Sequence, residues 1–296
     1  MITKQFSNGR PVLTVGLAAV LFFTGGVART VPRVAVTSPE ELVLRYKMPA
    51  GQVLRYQDTG ETRETTEVMG QTNETVATGK GTQSFLGKGQ KDGNHLLEVT
   101  IDDWTMSILT GQGDLSPDLK SVQGKSFDMV LSPLGLEVDV SGAESITFMI
   151  AGGTQNIASG FKIFFPDLPD KPVKIGDSWP SSFVIENKSG TSVRRTEIQS
   201  VNTFEGLETV DGMECARITS KQTGSISGKG SQQGLDLLFA GTVKGTDVWY
   251  FAPKEGIYVK STSDVVSEIT ITVSGAQAMT VPTTQKRKGE VKLLGR

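Results

Sequence analysis

The sequence predicts a mainly β protein: an antiparallel curved sheet or half-barrel built from two duplicated meanders, with short helices between them. Three observations lead there. Thr, Ser, Val and Gly are abundant, a composition that favours strands and turns. Apolar residues alternate with polar ones over most of the length instead of recurring in helical stripes. Turn signals also recur in unchanged order: Gly51-Gln-Val-Leu and Gly176-Asp-Ser-Trp lie 125 residues apart, Asp92-Gly93 and Asp211-Gly212 lie 119 apart, and the segments opening at Gly124 and Gly245 lie 121 apart.

Residues 1–28 read as a secretory signal. Lys4 and Arg10 supply positive charge, Pro11 to Ala28 supplies an apolar stretch, and Gly26-Val27-Ala28 offers small residues for cleavage. An uncut anchor helix is the alternative, since such a stretch is near the lower limit for crossing a bilayer. Removing the segment takes away two positive charges and changes the net charge from -2 to -4. That balance is not the electrostatic footprint of a nucleic-acid binder. The localisation expected is export, to the periplasm or beyond.

The first β repeat is assigned to residues 29–142, with its meander starting near Tyr46. Here Leu97, Val99 and Ile101 occupy odd positions, whereas Trp104, Met106 and Ile108 occupy even ones. A one-residue change of phase at Asp102-Asp103 with no turn between predicts a β-bulge that keeps both halves on one core. The adjacent carboxylates then belong to the bulge, since consecutive strand side chains diverge and an acid/base pair or cation site needs them to converge.

Residues 143–171 form a connector. Ser141-Gly-Ala-Glu144 fits a capping box, and Ile146, Met149, Ile150, Ile157, Phe161, Phe164 and Phe165 recur at spacings near the helical period. Two short helices are expected, broken at Gly152-Gly153, with Thr154 capping the second. Pro166, Pro169 and Pro172 follow at every third position, which predicts a stiff extended exit that cannot pair as a central strand.

The second repeat covers residues 172–275, with Trp179 entering its core. Ile257, Val259, Val265, Ile269, Ile271 and Val273 all stand at odd positions, and the gap in this run predicts a bend or bulge near Ser261 to Asp264. Residues 276–296 read as a basic tail, in which Lys286-Arg-Lys288, Lys292 and Arg296 offer peripheral contact with an anionic lipid surface.

The string LPDKPVKIGDSW, preceded by FKIFF and followed by paired β segments ending in WYFAPKEGIYVKS, resembles a family of bacterial secreted proteins known as a domain of unknown function. The resemblance covers about Leu42 to Val273 and implies no catalytic residues. On architecture alone, a curved sheet crossed by helices is also similar to the lipoprotein-carrier folds of the bacterial envelope.

No nucleophile constellation can be assembled. His95 is the one histidine and is expected as an exposed hairpin residue beside Asp92-Gly93-Asn94; Cys215, the one cysteine, is expected as a buried strand thiol. Together they exclude an internal disulfide and the usual zinc sites. The glycines between Gly228 and Gly234 lack the following helix that a phosphate loop needs, and read as a hairpin tip. No cofactor is implied.

One constellation suggests a binding site. Ile146, Met149, Ile150, Ile157, Phe161 and Phe164 would form an apolar lid over the sheet, opposed by Trp104, Val248 and Tyr250. The same residues could instead close an ordinary core. The function expected is a non-enzymatic exported protein binding an apolar ligand or a lipidated partner beneath the lid. The alternative is a structural or protein-interaction component of the envelope with no small-molecule ligand.

Overall fold

The computed structural model describes residues 41–150, 153–189, 191–232, 234–275 and 278–296. The signal segment lies outside them. The described chain is mainly β. In order it forms β1 (Val53–Val68), β2 (Gln71–Lys91), β3 (Asn94–Thr110), β4 (Gly113–Asp114), β5 (Ser126–Leu131) and β6 (Glu137–Asp139). A 3-10 turn (Ser141–Ser145), the hairpin β7 (Thr147–Ile150) and β8 (Gly153–Asn156), and the single-turn helix α1 (Ala158–Phe161) make up the connector. Then come β9 (Ser178–Ser189), β10 (Ser192–Val210), β11 (Met213–Gln232), β12 (Leu235–Ala252), β13 (Ile257–Ser274) and β14 (Met279–Gly295).

All strands except β7 and β8 belong to one antiparallel sheet of 12 strands, ordered β6-β5-β3-β2-β1-β14-β13-β12-β11-β10-β9, with β4 added beside β3. It is a meander from each end that meets at β1 and β14. The basic segment is therefore no tail. β14 pairs with β1 on one side and β13 on the other, which places it at the centre of the sheet.

Turn chemistry explains the tight reversals. Asp92 and Gly93 have φ of 52° and 80°, and Asp211 and Gly212 have φ of 48° and 79°, the paired positive values of two-residue hairpins that match strand twist. Irregularities also recur at corresponding places in the two halves. Gly51 N–H donates to Gly87 O and Gly87 N–H to Gln52 O, while Gly176 N–H donates to Phe204 O and Phe204 N–H to Asp177 O. Register shifts fall between Gly87 and Gly89 in β2 and between Phe204 and Gly206 in β10. Further shifts fall at Val130/Leu131 and at Tyr250/Phe251.

Strands β10 to β14 are long because each contributes to two separate cores. At one end, Leu54, Tyr56, Phe85, Val99, Phe204, Ile218, Trp249, Phe251, Ile257, Val259 and Val291 belong to a large core that also contains the connector. At the other, Ile198, Ile226, Leu237, Val243, Val265, Ile269, Ile271, Val273 and Val281 form a second, aliphatic core. Inward positions between the two are polar. Thus β13 runs Ile257 and Val259, then Ser261 and Ser263, then Val265, without losing its period of two. The predicted bend near Ser261 to Asp264 is not found there; β13 pairs continuously with β12 from Lys260 to Ser274, and its irregularity lies at Val259.

The bulge predicted in β3 is present. Gln83 pairs with Ile101 and Thr82 with Asp103, leaving Asp102 as the extra residue. Its carboxylate accepts from Arg55 Nε at 3.0 Å and Ser84 Oγ at 2.7 Å, whereas Asp103 Oδ1 accepts from Gln123 Nε2 at 2.9 Å. The two carboxylates thus serve different neighbours.

Candidate functional site

The connector does not form the two predicted helices. Residues Thr147–Ile150 pair as a strand with Gly153–Asn156, and among the described residues the connector's helical structure is limited to the 3-10 turn Ser141–Ser145 and the single α turn Ala158–Phe161. The capping box does not close: the 3-10 turn has no side-chain cap bond, and Asp139 Oδ1 accepts from the Ser141 N–H at 2.8 Å instead. Thr154, expected as a helix cap, lies in β8 with its hydroxyl 3.1 Å from Met149 Sδ. Ile146 and Phe148 are buried while Met149 beside them is 64% exposed, so the period of two prevailed over the looser helical spacing. Gly152 lies outside the described residues.

These short elements pack on the sheet against residues of both halves. Ile146, Phe148, Ile157, Phe161, Phe164 and Phe165 are buried in the large core, with Ile150 packed against it. Phe164 has its ring centroid 4.9 Å from Phe85, 5.5 Å from Tyr56 and 6.5 Å from Tyr258. Phe161 packs on Phe127 at 5.0 Å, and Trp104 meets Phe148 edge-on at 5.5 Å. The segment is a plug more than a lid. Val248 and Tyr250 are half-buried at even positions of β12; Tyr250 packs against the large core, whose buried members on that strand are Trp249 and Phe251.

Polar contacts fix where the plug ends. Phe165 N–H donates to Glu137 Oε1 at 2.8 Å, Leu168 N–H to Leu134 O at 2.7 Å, and Tyr46 OH to Pro166 O at 2.9 Å. Trp179 Nε1–H donates to Asp167 O at 3.0 Å. The proline run then continues without regular structure to Val173, which bridges Leu42. His95 is not the exposed hairpin residue expected from its position. It is 2% exposed, with Nε2 3.0 Å from Tyr46 O and Nδ1 3.3 Å from Gln90 Nε2, so it braces the segment that threads beneath the plug. Cys215 is buried, and burial pushes its thiol up to about 12.

Beside the plug, a cavity of about 160 Å³ separates Phe164, Phe165 and Pro166 from the strands β9 to β14. Its strand wall joins the polar layer, which includes Ser200, Asn202, Ser220, Gln222, Asp247 and Arg287, to apolar Ile185, Ile198, Trp249, Val265 and Val291. A chain of donors runs along it, from Trp249 Nε1 to Ser220 Oγ at 3.0 Å, from Ser220 Oγ to Asn202 Oδ1, and from Asn202 Nδ2 to Ser181 Oγ at 3.1 Å. Gln222 Nε2 donates to Asp247 Oδ2, and Ser263 and Arg287 also act on this carboxyl. Leu136, Lys162 and Ser182, all exposed, stand where the cavity meets the surface. A second space of about 40 Å³ lies between Trp104, Phe161 and Asp58. Sequence reading missed this layer, although the repeated Ser at odd positions of β13 was its signal.

Burial governs the electrostatics. It pushes the Asp247 carboxyl up to about 7, against the pull of Arg287, and the Asp58 carboxyl up to about 6 despite the hydrogen bond from Gln83. Asp167 is raised to about 6, and Glu137 and Glu64 are raised as well. These acids hold protons in the folded state that the unfolded chain releases at lower pH. Stability linked to them is therefore complete below the unfolded carboxylate range and is lost as pH rises through the folded values. His95, lowered by burial, works in the opposite direction but is one group against several. The free energy of unfolding is expected to fall by about 2–4 kcal/mol between about pH 5 and about pH 8, because each tenfold difference in proton affinity between the folded and unfolded chain is worth ~1.4 kcal/mol. Asp247→Asn should flatten part of that slope; denaturant melts across pH check both.

Among the described residues, no group of His, Cys, Asp or Glu is arranged to hold a metal ion. Also among them, no helix is long and apolar enough to cross a membrane, which says nothing of crossing by strands.

No family model matches the chain, and no curated protein matches it. Among solved structures, it is similar to a candidate exported protein of YmcC-like fold from Bacteroides fragilis, at 11% identity over 84% of this chain and 97% of that one, with a TM-score of 0.26. It is also similar to OccK11 (OpdR) of Pseudomonas aeruginosa, at 7% identity over 85% of this chain and 100% of that one, with a TM-score of 0.20. Likenesses at these scores carry no argument. Neither the family resemblance drawn from LPDKPVKIGDSW nor the likeness to lipoprotein-carrier folds is shown by these comparisons.

Proposed function

We propose that the protein is a non-enzymatic, exported component of the bacterial envelope that binds an amphiphile, either a lipid or the lipidated end of a partner, on the sheet face where the connector now sits. The observation that carries this reading is the plug itself. A broad aromatic surface, Tyr56, Phe85, Phe127 and Tyr258, is covered by a segment of short elements whose grip comes mainly from ring packing. Such a cover can be exchanged for another apolar occupant without breaking the sheet's ladders. The non-enzymatic part is supported by His95 and Cys215, both buried in structural positions.

The cavity beside the plug is too small for an acyl chain as it stands, since drug-sized ligands need about 300 Å³ or more. Uptake therefore requires the plug to move. We also read the two halves as copies of one ancestral meander. The matched turns, register shifts and backbone bonds at Gly51 and Gly176 support this. A second reading, an interaction protein without a ligand, is favoured by the open sheet, whose terminal strand β9 pairs, among the described residues, with β10 alone.

The test is native mass spectrometry and organic extraction of the purified chain, followed by titration of the delipidated protein with a fluorescent fatty acid. Co-purified lipid or saturable uptake supports the amphiphile reading. A ligand-free chain that takes up no probe and self-associates sinks it and leaves the edge-strand reading.

A further inference from the structure

We infer that the connector is an acid-latched cover: Glu137, Asp167 and Asp58 border it without a cation to offset them, so it seats while they hold protons and lifts as they ionise. This rests on the reading of the plug as an exchangeable cover and adds what regulates it.

Position comes first. Glu137 of β6 accepts the Phe165 N–H at 2.8 Å, and Asp167, two residues further along the connector, lines the same cavity. Asp58 of β1 is 8% exposed and borders the smaller space together with Ile157, Phe161 and Phe164. The three carboxyls thus adjoin the stretch that must move.

Their surroundings come second. Tyr46 faces Glu137 and Asp167, while Asp58 is met by Gln83 and Tyr258 and shares its space with the exposed Asp103. None of these is a cation. Lys162 is exposed at the cavity mouth and stands 4.0 Å from Glu144, and across the cavity Arg287 is offset by Asp247. Arg45 donates to the carbonyls of Leu44, Pro169 and Asp170, a grip that does not involve the three carboxyls and makes a hinge just beyond the cover.

The sign follows from burial. It raises Asp58 and Asp167 to about 6, and Glu137 as well, so the seated form holds protons that the lifted, solvated form releases at lower pH. An ionised Glu137 would strengthen its bond to the Phe165 N–H, but repulsion from an ionised Asp167 opposes it. Seating is therefore complete in acid and weakens as pH rises through the folded values.

The experiment is amide hydrogen exchange on the purified full chain without ligand, from about pH 5 to about pH 8, each rate divided by its unfolded-peptide value at the same pH. The protection of Phe165 and Leu168 is taken relative to that of Ile101, which removes the contribution of global unfolding. That ratio should fall by about tenfold for each acid moved to about 6, and by about threefold at the least. A smaller fall overturns the inference. Combining Asp58→Asn, Glu137→Gln and Asp167→Asn should hold the ratio level, with far-UV circular dichroism reporting whether the variant folds. Asp167→Asn alone, at a partly exposed position, should make the fall smaller. A fall equal to that of the wild type in either folded variant also overturns the latch. Because no ligand is present, a level wild-type ratio removes the latch and leaves the amphiphile reading to its own test.

Discussion

Phe164→Ala is expected to lower the free energy of unfolding by about 3–5 kcal/mol, the range for removing a buried phenyl ring whose surroundings cannot collapse. The ring is 3% exposed and lies within 6.5 Å of the rings of Tyr56, Phe85, Phe161, Phe165 and Tyr258. Those neighbours come from β1, β2, β13 and the connector, elements separated by long stretches of chain, so no local shift can close the gap. The same ring also borders the cavity, where water would enter the space left. Denaturant unfolding followed by tryptophan fluorescence measures the loss. A change below about 1 kcal/mol, the scale of an ordinary surface substitution, would mean that the plug is not part of the core.

Gly135→Ala should be nearly as costly for a different reason. Gly135 has φ of +96°, and a Cβ built there would lie 2.8 Å from Tyr46 Cε2 and closer still to Pro166 O. The backbone strain contributes about 1–3 kcal/mol and the overlap a similar amount, since both obstacles are held by the Tyr46 OH to Pro166 O bond. Gly124→Ala separates the two contributions: its φ is +71° but nothing stands within 4 Å of the added carbon. The second variant should lose stability by the strain alone. Equal losses in the two would remove the steric part of the explanation.

The β class was legible because alternation and turn chemistry are local. Asp92-Gly93 and Asp211-Gly212 specify their hairpins almost unaided, and the phase change at Asp102 marked a bulge that the sheet contains. The polar layer was not legible. Ser261 and Ser263 keep the inward phase of β13, but a serine facing a buried cavity has the same one-letter code as one facing water, so an uninterrupted strand reads as a bend. The basic run failed in the same way: Lys286 and Lys288 point out of the sheet while Arg287 between them lines the cavity. In the connector, Ile146, Phe148 and Ile150 satisfied a period of two, and the helical spacing of Ile146, Met149 and Ile150 was the competing pattern that lost. Ile146, Ile157, Phe161 and Phe164 nonetheless lie in the plug, because bulky apolar side chains in a linker have few other destinations, and Trp104 of β3 packs against it through Phe148.

Both the plug and the cavity beside it require the connector to be seated against the sheet in the absence of ligand. Amide hydrogen exchange measured residue by residue tests this most directly. Phe165 and Leu168, whose N–H groups donate to Glu137 Oε1 and Leu134 O, should exchange as slowly as the β3 amide of Ile101, which donates to Lys125 O. Exchange of both at the rate of an unfolded peptide, with Ile101 still protected, would contradict it.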